Sequence, residues 1–179
     1  MQMTLDPNPR PDTLAPFFAA VFTASEGAEE GAAIGALVRG LLTTTPEAER
    51  RVFTARAGDD LLGAVLFTRR NYANDPRRVW LLSPMAVATQ SQGQGIGQRL
   101  IRQALDHLRA EGADVALTYG DPAFYGRVGF APVSAADAPP PQPLSMPQGW
   151  IGQALDGAPL TPLKGRARCA PALDDPAFW

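Results

Sequence analysis

The sequence predicts an α/β domain: a mixed, mostly antiparallel sheet of about six to seven strands flanked by about four helices. Three observations carry that expectation. Residues 79–119 read as strand, glycine-rich turn, amphipathic helix and strand, a βαβ unit whose right-handed crossover makes its two strands parallel. Residues 51–68 read as two β-rich runs about Gly58-Asp59-Asp60, a hairpin. Two amphipathic helical patterns precede that hairpin, so helices interrupt the strands from the start.

Residues 1–5 form a first strand, cut off by Pro7, Pro9 and Pro11. Residues 14–23 form a short helix with Phe17, Phe18, Val21 and Phe22 on one side. A second helix over residues 28–42 carries Ile34, Leu37, Val38, Leu41 and Leu42 as its apolar stripe. Residues 51–57 and 61–68 are the hairpin strands. The next run, Val79-Trp80-Leu81-Leu82-Ser83-Pro84-Met85-Ala86-Val87-Ala88, is nearly uncharged, as a strand buried on both faces requires. Pro84 has no N–H to give a ladder, so it marks a bulge or a place where the neighbouring strand departs.

After the glycine turn, Ile96, Leu100, Ile101, Ala104, Leu105 and Leu108 recur at helical spacing, and Gly112 ends that helix. Residues 114–119 are the parallel partner strand. Asp121 before Pro122 reads as the N-cap of a short helix with proline at its first position. Residues 131–148 are dense in proline and alanine and read as an extended surface connection. Residues 150–155 are a further strand, and the segment beyond is an irregular tail whose Phe178-Trp179 end packs back on the body. The expected organisation is a core over residues 1–133, a proline-rich connection over 134–148, and a strand and tail over 149–179 within the same domain.

Bulk properties exclude several classes. A chain of 179 residues with 45% hydrophobic content suits one globular domain, and a formal charge of −2 gives no general pull toward nucleic acid or anionic lipid. One cysteine, Cys169, excludes an internal disulfide and a cysteine-rich metal site. No run approaches the roughly 18 apolar residues of a membrane helix, and no basic-then-apolar leader opens the chain. The expectations are a cytoplasmic location, no nucleic-acid or membrane partner, and no metal.

The chemistry centres on Gln92-Gly93-Gln94-Gly95-Ile96-Gly97. Three alternating glycines at a strand-to-helix junction leave backbone N–H groups without side-chain cover. With the positive end of the helix dipole they make a site for phosphate or pyrophosphate. The phosphate loop of nucleotide triphosphatases needs Gly-Lys-Ser/Thr, and Gly97 is followed by Gln98-Arg99. The dinucleotide fingerprint needs Gly-x-Gly-x-x-Gly, whereas the spacing here is Gly-x-Gly-x-Gly, although Asp121 sits near the place of its ribose-binding acid. A purely structural glycine turn is the remaining alternative.

Gln92-x-x-Gly95-x-Gly97 resembles the Gln/Arg-x-x-Gly-x-Gly/Ala signature of the GNAT superfamily of acyl-CoA N-acyltransferases, with Met85-Ala86-Val87 in the place of its strand-end Leu-Ala-Val. The segment Gly120-Asp121-Pro122-Ala123-Phe124-Tyr125-Gly126-Arg127-Val128-Gly129-Phe130 is similar to that family's Phe-Tyr-x-x-x-Gly-Phe element. Its wording resembles a group of bacterial predicted N-acetyltransferases. The resemblance is firmest over residues 79–130.

That resemblance implies a GNAT fold whose parallel strands 4 and 5 splay apart, and an enzyme transferring acetyl from acetyl-CoA to a primary amine of a small molecule or peptide. It implies that Gln92, Gly93, Gln94, Gly95, Ile96 and Gly97 hold the pyrophosphate, with Gln98 opening the helix beside them. Backbone groups of Met85, Ala86 and Val87 would meet the pantetheine and thioester. It implies Tyr125 as general acid, Phe124 and Phe130 as core anchors, and N-terminal helices that help wall the acceptor site. Homodimers are common among relatives.

A general base is not evident. Residues 79–87 hold no carboxylate, and Ser83 is the only side chain there able to handle a proton. Glu26, Asp59, Asp60 and Asp75 lie in expected loops. His107, the only histidine, lies on the helix flank, where a partly packed surface role is expected. A non-catalytic acyl-CoA-sensing module is the alternative, and a dinucleotide-binding oxidoreductase domain a more distant one.

Overall fold

A computed structural model describes residues 1–179. The chain forms one eight-stranded sheet and divides into two compact units, Met1–Phe67 with Pro84–Ala104, and Thr68–Ser83 with Leu105–Trp179.

In the first unit, β1 (Gln2–Leu5) runs antiparallel to β2 (Arg50–Ala57), with Gln2 opposite Arg56 and Leu5 opposite Phe53. Between them lie α1 (Pro11–Glu26) and α2 (Ala28–Thr44). These helices approach closely because Gly31 and Gly35 have no side chains. A Cβ on Gly31 would lie 2.7 Å from the Ala19 carbonyl oxygen, and one on Gly35 2.9 Å from Ala19 Cβ. Leu14, Phe18 and Val21 of α1 and Ile34, Leu37, Val38, Leu41 and Leu42 of α2 are buried, whereas Phe17 and Phe22 are half-buried. α1 is longer than the expected 14–23, beginning at Pro11, and Pro16 lies inside. A proline at the first position removes an N–H with no intrahelical partner, and its fixed φ suits the helix.

Two long strands, β3 (Asp60–Tyr72) and β4 (Asp75–Val87), have 13 residues each, longer than their apolar runs predict. The extensions hold Arg69, Arg70, Asp75, Arg77 and Arg78, charges that read as a loop. They extend the strands because their charges are met. Asp75 and Arg77 pair through two contacts of 2.8 and 2.6 Å. Fully buried Arg70 lies over the rings of Tyr72 and Trp150 and donates to the Tyr72 hydroxyl at 2.8 Å.

In the second unit, β5 (Val115–Tyr119) pairs parallel with β4 from Val79↔Val115 to Leu82↔Thr118, where the register ends two residues before Pro84. β7 (Trp150–Ala154) lies antiparallel on the other side of β5, and β6 (Ala131–Pro132) pairs with β7. β8 (Ala167–Arg168), a strand with no sequence signal, pairs with Asn71 and Tyr72 of β3. The strand order is β1-β2-β3-β4-β5-β7-β6. The amphipathic helix α3 (Ile96–Ala110) buries the whole expected stripe, and Gly112 ends it with φ +83°. α4 (Pro122–Tyr125) is a single turn.

The proline-rich segment lies mostly at the surface, as expected, but one stretch of it reaches the core. Ala138 is fully buried, its carbonyl accepts the Trp150 indole N–H at 2.8 Å, and Arg70 Nη2 donates to the Pro139 carbonyl at 2.5 Å. Prolines offer carbonyls without competing N–H groups, so this stretch satisfies buried donors that a regular strand would leave unmet. No helix is long and apolar enough to cross a membrane.

Candidate active site

In the first unit β4 ends at Met85, Ala86 and Val87. Ala86 is buried and its neighbours are half-buried. Gly63 lies against this end, where a Cβ would come within 3.2 Å of the Ala86 carbonyl oxygen and 3.5 Å of Ile96. A tight turn over Thr89–Ser91 follows. Gln92 then reaches back, its side-chain amide donating to the Val87 carbonyl at 3.1 Å, which ties the loop to the strand end.

Gly93 and Gly95 adopt φ +75° and +72°, a region that disfavours any side chain, and a Cβ on either would meet nothing within 4 Å. The loop therefore needs glycine for its backbone path, and the space above it is open. The first backbone bond into α3 runs from Arg99 N–H to Gly95 C=O at 3.1 Å. The N–H groups of Gly93, Gln94, Gly95, Ile96, Gly97 and Gln98 have no backbone acceptor. Arg99 also donates to the Gln94 carbonyl at 3.3 Å, and the first turn of α3 holds no acid that would compete with an anion. Ile96 and Gly97 are buried beneath the loop. Six donors without backbone acceptors at a helix N-terminus suit a pyrophosphate. All ten residues expected on the donor side lie in this unit.

In the second unit, Asp121 caps α4 by accepting the Ala123 N–H at 2.8 Å. Tyr125 follows at the end of that turn. Its ring lies on Gly120, where a Cβ would come within 2.7 Å of Cε2, and it meets Phe124 and Phe130 edge-on at 5.0 and 5.7 Å. Phe130 is buried and Phe124 half-buried. The phenol interacts with the Thr118 side chain. Thr118 Oγ1 in turn donates to the Leu82 carbonyl at 2.9 Å. Burial pushes the Tyr125 phenol up to about 12, with the Asp121 charge adding to the rise. The phenol therefore keeps its proton at neutral pH.

Thr118 was not singled out by the residues alone. Its only sequence signal is a hydroxyl within the otherwise apolar run Val115-Ala116-Leu117.

Other titratable groups are committed elsewhere. Asp75 lies in β4, not in a loop. Its hydrogen bonds with Arg77 hold its carboxyl well below the usual carboxylate range. His107 Nε2 faces Glu111 at 3.4 Å on the flank of α3, and Asp59, Asp60 and Glu26 are exposed. Cys169 is half-buried, and burial pushes its thiol up despite nearby Arg70. Ser83 is half-buried on β4.

Residues 18–130 match the family model described as "Acetyltransferase (GNAT) family". The chain is 35% identical over 140 residues to the uncharacterized N-acetyltransferase YjhQ of Escherichia coli (strain K12), covering 75% of this chain and 76% of that protein. Among solved structures, the GNAT family N-acetyltransferase YhbS of Escherichia coli, in complex with CoA, superposes with a TM-score of 0.75 at 20% identity. That match covers 97% of this chain and 92% of the other. A GNAT family acetyltransferase of Brucella melitensis, in complex with acetyl-CoA, gives a TM-score of 0.64 at 24% identity, covering 97% and 99%.

Proposed function

The chain belongs to the GNAT acetyltransferase family, and from that premise we propose that it transfers acetyl from acetyl-CoA to a primary amine of a small molecule or peptide, by direct attack in a ternary complex. The observation that carries this reading is the row of six unbonded N–H groups at the start of α3. They hold the pyrophosphate of coenzyme A, and Gln92 keeps their loop against the end of β4. Backbone groups of Met85, Ala86 and Val87 line the pantetheine and polarise the thioester carbonyl as it gains negative charge.

The amine nitrogen attacks the carbonyl carbon, the C–S bond breaks, and the electron pair leaves on sulfur. Tyr125 then protonates the thiolate, and the amine loses its extra proton to solvent. A phenol held protonated at neutral pH is loaded for that step. Direct attack fits Cys169 better than an acyl-cysteine route, because a thiol pushed up by burial supplies little thiolate. Catalysis then rests chiefly on bringing amine and thioester into contact.

A second reading, an acyl-CoA sensor without turnover, is favoured by one observation: β4 carries no carboxylate from Val79 to Val87 to serve as general base. Thiol release over a panel of amines separates the two. The enzyme releases coenzyme A thiol above the amine-free rate with at least one amine, whereas the sensor binds and releases none. Coenzyme A at about a hundred times its Kd raises the melting temperature by roughly 5–10 °C, and NAD leaves it unchanged.

A further inference from the structure

The turn that carries Tyr125 is held from the opposite face of the sheet by residues far along the chain. Tyr119 ends β5, and its ring stacks on Trp179 with centroids 6.0 Å apart and planes 22° apart. Trp179 is buried, meets Trp150 edge-on at 5.8 Å, and donates its indole N–H to the Leu173 carbonyl at 2.8 Å. The Tyr119 hydroxyl accepts the Met146 N–H at 2.7 Å and shares a hydrogen bond with Ser145 Oγ at 2.9 Å. The next residue, Gly120, donates its N–H to the Gly149 carbonyl at 2.9 Å.

Side chains alternate faces along a strand, so Tyr119 points away from the face that carries Thr118. On that other face, the Tyr125 ring rests directly on Gly120. The two-residue turn between β5 and α4 is thus gripped on one side by residues 145–179 and loaded on the other by the phenol. α4 has only four residues, and a helix of one turn has no stability of its own. Where the phenol sits is therefore decided by what holds the turn.

We propose that Tyr119 and Trp179 are positioning residues for Tyr125, and that the stack of Trp179 on Tyr119 fixes the turn and with it the place of the phenol against Gly120. The proposal rests on Tyr125 being the general acid. Both residues act through the backbone of the turn and touch no reacting atom. A displacement of about 1 Å at a reacting group costs up to about 100-fold in rate, so a packing contact at this distance is enough to matter.

The test compares Trp179→Ala, Trp179→Phe, Tyr119→Phe and Tyr125→Phe in the full chain, well below each variant's melting temperature. Turnover of acetyl-CoA is measured with the best amine of a panel. The nuclear Overhauser effect between the Tyr125 ring and the Gly120 α-protons reports the geometry without needing an acceptor. Trp179→Ala lowers kcat about tenfold, leaves KM for acetyl-CoA within about twofold, and weakens the ring-to-Gly120 signal, while Trp179→Phe restores most of both. Tyr119→Phe keeps the stack but loses the hydroxyl bonds. It lowers kcat about two- to threefold, and decides the matter if Trp179→Ala does not fold.

A Trp179→Ala protein that melts earlier yet keeps kcat and the ring signal overturns the proposal. If Tyr125→Phe is slow while Trp179→Ala is not, only the positioning role fails. If Tyr125→Phe is as fast as the wild type, the general-acid reading fails and the proposal falls with it. If no amine is turned over, the ring signal alone decides.

Discussion

In the proposed mechanism the glycine loop and the tyrosine turn work with different kinds of atoms. At the loop the active groups are backbone N–H groups, and the side chains matter mainly by being absent. Six consecutive donors, two positive-φ glycines and the Gln92 tie all lie within a dozen residues. At the turn the proposed acid is one phenol, packed on Phe130 and Gly120, and the turn beneath it meets Gly149 and, through Tyr119, Trp179. A site made of backbone can be specified locally. One made of a packed side chain is specified by whatever the rest of the chain places around it.

That contrast predicts where substitutions act. Tyr125→Phe tests it most severely, since it removes one oxygen and leaves the ring packing in place. The expected outcome is a fall of about 100-fold in kcat with acetyl-CoA affinity nearly unchanged, read by steady-state kinetics beside calorimetry. Equal losses in affinity and turnover would mean that the two regions are not separable. Because the phenol is pushed up to about 12, a fall in rate below pH 10 belongs to some other group.

Thr118→Val is milder. It removes the hydroxyl that meets the phenol and its bond to Leu82, and kcat is expected to fall about threefold to tenfold with the loop untouched.

The smallest effect on activity is expected at Asp75, which joins Arg77 to the Lys164 amide, while Arg77 donates to the Thr161 and Pro162 carbonyls. Its carboxyl is held below the ordinary value of about 3.9, chiefly by the Arg77 hydrogen bonds. The stabilisation is therefore complete above that value and is lost as pH falls toward the lowered folded-state value. Asp75→Asn should lower the melting temperature by a few degrees at pH 7, a gap that narrows below about pH 3 in calorimetric scans, with kcat almost unchanged.

The same contrast explains what was legible in the residues. The βαβ unit, the α3 stripe, the Gly112 stop and the Asp121 cap are local patterns, and the structure has them where the sequence implies them. The ends of β3 and β4 were illegible because Arg70 and Asp75 look like surface charges until Tyr72, Trp150, Arg77 and the Lys164 amide are brought to them. β8 and the buried Ala138 were missed for the same reason: their partners lie dozens of residues away. The start of α1 at Pro11, three residues before its apolar pattern, was illegible because a proline that breaks a helix interior suits its first position. At the tyrosine turn, the motif identified Tyr125, but nothing near it pointed to Thr118 or Trp179.

The central claim is that the loop grips coenzyme A through its backbone. Titration calorimetry of coenzyme A into the wild type and Gly95→Val tests it most directly. Gly95 has φ +72°, where a β-branched side chain is strained, and valine would also stand between the N–H groups and a phosphate. The expected result is saturable one-site binding by the wild type and a Kd at least about tenfold weaker in a variant that remains folded. Equal affinity in the two proteins would contradict the account.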